Sequence, residues 1–243
     1  MKNKKTAIIL VGGLGKRLRP ITEITPKPLL KIGQSTILEI IVNHLNKNNF
    51  NDIIFAARYK SDKFEKEVFK FKKKFKKINF TLSIERKKLG TCGPISLLRK
   101  ILPKNFLVIN GDIISNVNLE KYFKIFSKNK NPLFVFTKKI ITPFEFGKLI
   151  IKKNKIVSVK EKPNLENLII SGIYFLKKDC LKYIPKNKYY GMDQLIKNFL
   201  RKKITVETYV MEKELWIDIG SHNIYKKVKK LKSISKINSK QFN

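Results

Sequence analysis

The sequence predicts an α/β fold, a mixed and mostly parallel sheet flanked by helices, and three observations in it do so. Apolar runs alternate with segments of helical periodicity at roughly 20–30 residues per unit, the rhythm of parallel strands joined by crossover helices. The first run, Thr6–Val11, is continuously apolar, as a strand covered on both faces must be. A glycine-rich loop follows that run at once, at the strand end where α/β proteins hold ligands.

The elements follow in order. Residues 37–49 place Ile37, Leu38, Ile40, Ile41 and Leu45 at helical spacing, and Asp52–Ala57 is a second buried strand. Ser61–Phe75 reads as a helix with Ser61 as its N-cap and Glu65 and Glu67 in its first turns. A strand at 78–84, a helix after Gly93 and a strand at 105–110 continue the alternation, the last stopping at Asn110-Gly111-Asp112. Beyond Asp112 the pattern changes. A helix near 118–128 and a strand at 132–138 lead to Leu149–Ile151 and Ile156–Lys160, a hairpin about a Lys-Lys-Asn-Lys turn. Leu168–Leu176 is a strand, 192–201 a helix and 203–210 a last strand, with a basic helix from 221. No internal repeat or hexapeptide pattern is present, so no β-helix domain is expected. One domain over residues 1–232, followed by a polar tail over 233–243, is the expected organisation.

Composition narrows the classes. The chain has 243 residues, of which 42% are hydrophobic, enough for a sizeable core. Only Cys92 and Cys180 are present, which excludes a disulfide scaffold. No apolar run reaches the ~18 residues that span a bilayer, and the N-terminus lacks the apolar stretch of a secretory signal. A reduced, cytoplasmic protein with no membrane partner is the expectation. The net charge of +36 raises the question of nucleic acid. Only six of the 54 basic residues are Arg, however, and the Lys residues are spread along the chain, which reads as a solvated Lys-rich surface without a nucleic-acid partner. The phenylalanines at 64, 69, 71, 75 and 80 read as core, and His44 and His222 as helix-surface residues without ligand spacing.

The segment Gly12–Pro28, GGLGKRLRPITEITPKP, carries the chemistry. Its glycines let backbone amides approach phosphate oxygens without Cβ interference. Arg17 supplies a planar bidentate donor and Lys27 a compact cation, so the loop is suited to a triphosphate. It is not a P-loop, because Leu10 stands where the first glycine is needed and Arg17 where Ser or Thr is needed. Nor is it a dinucleotide fingerprint, whose third glycine is replaced by Leu18.

From Gly12 to Pro28 the segment resembles the signature of the sugar-1-phosphate nucleotidylyltransferases, Gly-Gly-x-Gly-x-Arg-Leu-x-Pro-x-Thr followed by Pro-Lys-Pro. Further segments resemble that family in the same order. Leu89–Pro94 is similar to its base-binding turn, with Cys92 replacing Ala, and Asn110-Gly111-Asp112 to its metal-binding strand end. Phe146-Gly147, Glu161-Lys162-Pro163 and Ser171–Tyr174 resemble its sugar-site segments, and Trp216–Gly220 its second metal motif. The resemblance spans residues 6 to about 228 and is nearest to the mannose-1-phosphate guanylyltransferases and related short enzymes forming GDP-sugars.

What the resemblance implies is a three-layer Rossmann-like (GT-A-like) fold and transfer of a nucleotidyl group from an NTP, GTP favoured, to a sugar 1-phosphate for surface glycan synthesis. Mg²⁺ is the implied cofactor, held by Asp112 and Asp218. Arg17, Lys27 and Asp112 are implied catalytic residues. Leu10, Gly12, Gly13, Gly15, Arg17, Gly90 and Thr91 are implied at the nucleotide, and Gly147, Glu161, Lys162 and Gly172 at the sugar phosphate. Ile170-Ser171-Gly172 stands where the family commonly has Asn-Ala-Gly, which removes one candidate hydrogen bond to the sugar. Cys92 reads as a packed residue, since the reaction needs no covalent intermediate. A thymidylyl- or uridylyltransferase and a non-catalytic sugar-nucleotide-binding protein are the alternatives, and a homodimer is left open.

Overall fold

The computed structural model describes residues 4–230, so the expected tail at 233–243 lies outside the described residues. Thirteen strands and six α-helices are present among them. The strands are β1 (Thr6–Leu10), β2 (Lys31–Ile32), β3 (Ser35–Thr36), β4 (Asp52–Ala57), β5 (Asn79–Ile84), β6 (Asn105–Asn110), β7 (Ile113–Ser115), β8 (Leu133–Pro143), β9 (Lys148–Lys152), β10 (Lys155–Lys160), β11 (Asn164–Lys177), β12 (Val206–Met211) and β13 (Trp216–Asp218). The helices are α1 (Ile21–Ile24), α2 (Ile37–Lys47), α3 (Ser61–Lys74), α4 (Leu119–Lys128), α5 (Met192–Arg201) and α6 (His222–Lys229).

Seven strands form one sheet in the order β12-β8-β11-β6-β1-β4-β5. All neighbours are parallel except β11, which runs antiparallel to both β6 and β8. Side chains alternate across the sheet, and both faces are covered. Ala7 and Ile9 of β1 join a core with Leu38, Ile41, Phe64 and Phe126 of helices α2, α3 and α4. Ile8 of the same strand joins a second core with Ile95, Cys180, Leu195 and Phe199 on the opposite side. These are the three layers, and they explain why Thr6–Leu10 is apolar at every position but its first.

The helices end where the sequence places stop and start signals. Thr36 caps α2 by accepting from the Glu39 amide at 3.1 Å, and Asn118 caps α4 by accepting from Lys121 at 2.9 Å. Four boundaries differ from expectation. Ser61 is the first residue of α3 and not its cap; Lys60 adopts a left-handed conformation before it, and no side chain caps the helix. The helix expected after Gly93 is a short 3₁₀ segment, Gly93–Leu98, with Pro94 in its first turn. Strands β8 and β11 run past the sheet as a two-stranded ribbon, 139–143 against 164–168, where no core imposes an apolar pattern. The two- and three-residue strands β2, β3, β7 and β13 were not foreseen, being too short for a periodicity.

Of the Phe cluster, Phe64, Phe71 and Phe80 are buried, and Phe71 lies edge-on to Phe55 and Phe75. Phe69 is exposed, under the Lys73 ammonium. His44 is no surface residue. Burial lowers its pKa to about 4, so the ring is neutral in the fold.

Phe175 of β11 is fully buried, with its ring centroid 5.2 to 6.0 Å from those of Phe123, Phe126, Phe134 and Phe136. Phe175→Ala should therefore lower the unfolding free energy by about 3–5 kcal/mol in urea titration, the cost of a large core truncation with a residual cavity.

Candidate active site

The site stands at the carboxyl ends of β1 and β6, which are neighbours in the sheet and in register, Leu10 beside Asn110. The ladder continues one step past the strands, the Gly111 amide donating to the Leu10 carbonyl at 2.9 Å, so the glycine loop and Asp112 start side by side. A Cβ on Gly111 would stand 2.8 Å from that carbonyl oxygen, which ties glycine to this crossing. The loop turns through Gly15 at φ 63°, in the left-handed region, where a Cβ would meet Thr22 at 2.8 Å. Thr22 also donates from its hydroxyl to the Gly15 carbonyl at 3.0 Å.

Lys27 lies in a single 3₁₀ turn, Lys27–Leu29, set by the flanking Pro26 and Pro28. Its side chain is buried, and its ammonium lies 2.5 Å from Asp112 Oδ2 and 3.5 Å from Asp218 Oδ1. Asp218 arrives on β13, which pairs with β7 so that Asp218 faces Ile113, and the Ile219 amide donates to the Asp112 carbonyl at 3.1 Å. Two carboxylates from segments a hundred residues apart thus share one ammonium. Burial raises the Asp218 pKa, the neighbouring Asp112 charge raises it further, and Lys27 and Arg17 oppose both. Arg17 reaches the same group from the exposed side, with Nη2 3.9 Å from Asp218 Oδ2.

Three buried polar atoms here have no hydrogen-bond partner: Asn110 Oδ1 on β6, Ser171 Oγ on β11 and Asp218 Oδ1 on β13. Each such atom costs roughly 1–3 kcal/mol when left dry and unpaired. Polar atoms left unpaired at the ends of β6 and β13 and midway along β11 are suited to a ligand or a cation that satisfies them. Among the described residues no cluster of three or more His, Cys, Asp or Glu could hold a metal, so Asp112 and Asp218 are a two-carboxylate set. Two carboxylates beside one ammonium fit Mg²⁺, which retains water and takes few protein ligands.

Two cavities meet at this point. The smaller, about 240 Å³, is lined by Gly13, Gly15, Arg17, Lys27, Asp112 and Gly220 among others. The larger, about 530 Å³, runs from Gly13, Lys16 and Asp112 past Arg58 and Glu85 to Gly90 and Tyr189. Gly12 forms part of its wall, with Glu85 Oε1 3.0 Å from where a Cβ would be. Gly90 has φ 81°, and a Cβ there would stand 2.7 Å from the Tyr190 carbonyl oxygen. That carbonyl accepts from the Cys92 and Gly93 amides, both at 2.9 Å, which fixes the 89–93 turn against residue 190. The Thr91 hydroxyl accepts from the Met192 amide at 2.9 Å and so serves the start of α5. Cys92 is buried, which pushes its thiol pKa up and leaves it a packing residue.

A search against protein families matches the Nucleotidyl transferase model over residues 6–233. The chain belongs to that family. It is 32% identical over 228 residues to D-glycero-alpha-D-manno-heptose 1-phosphate guanylyltransferase of Aneurinibacillus thermoaerophilus, covering 92% of this chain and 96% of the relative. It is also 32% identical to the mannose-1-phosphate guanylyltransferase catalytic subunit beta of Xenopus tropicalis, covering 88% of this chain but 61% of that longer protein. Among solved structures, HddC from Yersinia pseudotuberculosis complexed with GMP-PN superposes with a TM-score of 0.69 at 28% identity, covering 93% of this chain and 98% of that one.

In this nucleotidyl transferase the sequence-predicted residues fall into two groups. Leu10, Gly12, Gly13, Gly15, Arg17, Lys27, Gly90, Thr91 and Asp112 line the two cavities, and Asp218 joins them through Lys27. Gly172 stands beside them, with the Asn110 side-chain amide 2.6 Å from a would-be Cβ. Gly147, Glu161 and Lys162 lie apart on the exposed ribbon that carries β9 and β10, with Gly147 next to the Glu161 carboxylate. Glu85 and Arg58 were missed, because nothing in their spacing marks them; only the fold brings them beneath Gly12.

Asp112→Asn should lower the rate of pyrophosphate release by at least about 100-fold, the scale of losing one preorganised charge at a reacting centre. Circular dichroism should be unchanged, since Asp218 continues to pair with Lys27. A rate within a few-fold of the parent would show that Asp112 does not act in the reaction.

Proposed function

We propose that the chain transfers a guanylyl group from GTP to a sugar 1-phosphate, giving a GDP-sugar and pyrophosphate, in the synthesis of surface glycan. The observation that carries this reading is the junction of the two cavities at Asp112. There a space of nucleotide size ends against a buried lysine shared by two carboxylates. A phosphoryl-transfer site needs charge neutralisation and alignment more than acid–base groups.

The reaction is attack of a sugar-phosphate oxygen on the α-phosphorus of the triphosphate, with pyrophosphate leaving in line. Lys27, held by Asp112, places a desolvated ammonium where negative charge gathers on the α-phosphate and the attacking oxygen. Arg17 is largely solvent-exposed and can offer its planar guanidinium to the β- and γ-phosphates and the departing pyrophosphate. Amides of Gly12, Gly13 and Gly15 lie along the triphosphate path. Asp112 and Asp218 would hold Mg²⁺, which when bound supplies Lewis-acid polarisation of phosphate oxygens. Gly172, beside Asn110, would border the sugar, and Glu161, Lys162 and Gly147 would supply the sugar-phosphate contacts from the ribbon. The names of the relatives point to a heptose or a mannose as the sugar.

Glu85 favours guanine. Its carboxylate is buried under Gly12 in the wall of the larger cavity. A carboxylate offers two adjacent acceptors, which match the neighbouring N1–H and N2–H₂ donors of guanine. Uracil and thymine present carbonyl oxygens to the same group. Burial raises the Glu85 pKa to about 7, against the lowering effects of the Leu89 amide and the Arg58 charge.

Two measurements test the reading. A matrix of four NTPs against mannose, heptose and glucose 1-phosphates with Mg²⁺ should release pyrophosphate fastest with GTP. No release with any pair would overturn the assignment. The second is a pH series. The guanine-accepting form of Glu85 is the ionised one, which is depleted as pH falls through 7. The KM for GTP should therefore rise about tenfold from pH 8 to pH 6. Glu85→Gln should flatten that rise and reduce the preference for GTP over UTP.

A further inference from the structure

Lys138 is a charged residue at a position suited to an apolar one. It stands on β8, where the alternation of side chains puts it on the face of Phe134 and Phe136, both members of the core shared with α2, α3 and α4. The residue is 2% exposed. It is the last residue of β8 to pair with β12, opposite Met211, where β12 ends and the chain turns toward β13. Its ammonium lies 3.4 Å from the Glu212 carbonyl oxygen and 3.3 Å from that of Glu214. The Glu214 carboxylate accepts from the Tyr209 hydroxyl at 2.6 Å, and its other oxygen is buried without a partner. Withdrawing an ammonium from water to this extent is costly, and an apolar side chain of similar volume would serve the core as well or better. The core therefore does not account for the lysine; the turn that it holds does.

We infer that Lys138 is a positioning residue for the proposed transfer: by gathering the Glu212 and Glu214 carbonyls it fixes the register in which β13 delivers Asp218 beside Lys27 and Asp112. The inference rests on the reading of Asp218 as part of the reaction site. β13 is three residues long, in a two-stranded sheet with β7, so its own pairing does little to set how far along it lies. Three contacts supply what the strand lacks. Lys138 takes the carbonyls of 212 and 214. Asn116 takes residue 215 from both sides, its side-chain oxygen accepting from the Leu215 amide at 2.8 Å and its amide donating to the Leu215 carbonyl at 3.2 Å. The Trp216 indole donates to the Ser171 carbonyl at 2.9 Å, within the bulge of β11 between Ile170 and Tyr174. That last bond joins the strand of Asp218 to the strand of Gly172, so a slip of the 212–214 turn reaches both. An ammonium has three donors and can serve two converging carbonyls at once, which no apolar side chain can do.

Trp216 is the single tryptophan of the chain, so its indole N–H gives one resonance that reports on this joint. In ¹⁵N-labelled protein without nucleotide or metal, Lys138→Met should displace that resonance and speed solvent exchange of the indole proton about tenfold, the sign of a loosened local contact. Its melting temperature should be no lower than that of the parent. With the NTP and sugar 1-phosphate that the parent uses best, kcat should fall about 10- to 100-fold while KM for the NTP stays within about twofold, the pattern of a misplaced reacting group. Phe134→Leu, a core truncation on the same face of β8, is the control. It should lower the melting temperature and leave both the indole resonance and kcat as in the parent.

An unchanged indole resonance in folded Lys138→Met, a kcat within about twofold of the parent, or an equal displacement of the resonance by Phe134→Leu would each overturn the inference. Should Lys138→Met not fold, Lys138→Gln takes its place with the same expected readings and the same refutations. The resonance is read on the protein alone. A parent that releases no pyrophosphate with any NTP would therefore count against the guanylyl-transfer reading, and the indole displacement would still decide whether Lys138 sets β13.

Discussion

The buried ammonium of Lys27 between the carboxylates of Asp112 and Asp218 is the interaction on which the rest of this molecule is arranged. Removing the Lys27 ammonium from water is costly unless anions compensate it, and the half-buried Asp112 and Asp218 do so. Here one cation faces two anions, and compensation is incomplete: an Asp218 oxygen has no hydrogen-bond partner and its pKa is raised. A site left in this condition is poised for additional positive charge. The fold maintains it from three directions, with Lys27 held between two prolines, Asp112 on the last step of the β1–β6 ladder and Asp218 on the β7–β13 pairing. None of these supports is a long element.

The total charge of +36 is largely unrelated to that site. Arg17 and Lys27 are the cations that touch Asp218, whereas the hairpin alone carries five lysines within the thirteen residues 148–160. A positive surface raises the local concentration of a triphosphate modestly and is screened beyond about 8–10 Å at ordinary ionic strength.

The main sheet and the phosphate end were legible in the sequence because they obey local rules. Ala7–Leu10 had to be apolar throughout, and Gly15 had to be glycine to turn left-handed against Thr22. Short strands such as Trp216–Asp218 carry no period, so the juxtaposition of Asp218 with Asp112 came from the family resemblance and not from pattern. Glu85 was invisible for a related reason. It is a lone acidic residue just beyond the end of β5, and its burial follows from a chain crossing seventy residues away, where Gly12 passes over it. The ribbon carries little strand signal because sequence periodicity reports burial, and residues 139–143 and 164–168 pair with each other largely in water.

Several departures from local rules lie where ligands would, although His44, Arg99, Asn105 and Glu214 leave buried polar atoms unpaired elsewhere. Asn110 at the end of β6 and Ser171 midway along β11 leave buried polar atoms unpaired, and Glu85 holds a carboxylate in a setting that resists its ionisation. Each is unfavourable to the empty protein, and a core of the same shape without them would be more stable. The two faces of the sheet, with their dense aromatic packing about Phe175 on one side and Phe199 on the other, supply the stability against which such costs are tolerated. Unsatisfied groups fixed by strands cannot relax toward one another, so they remain oriented until a polar ligand arrives. That rigidity is what turns a local deficit in the fold into affinity for the ligand.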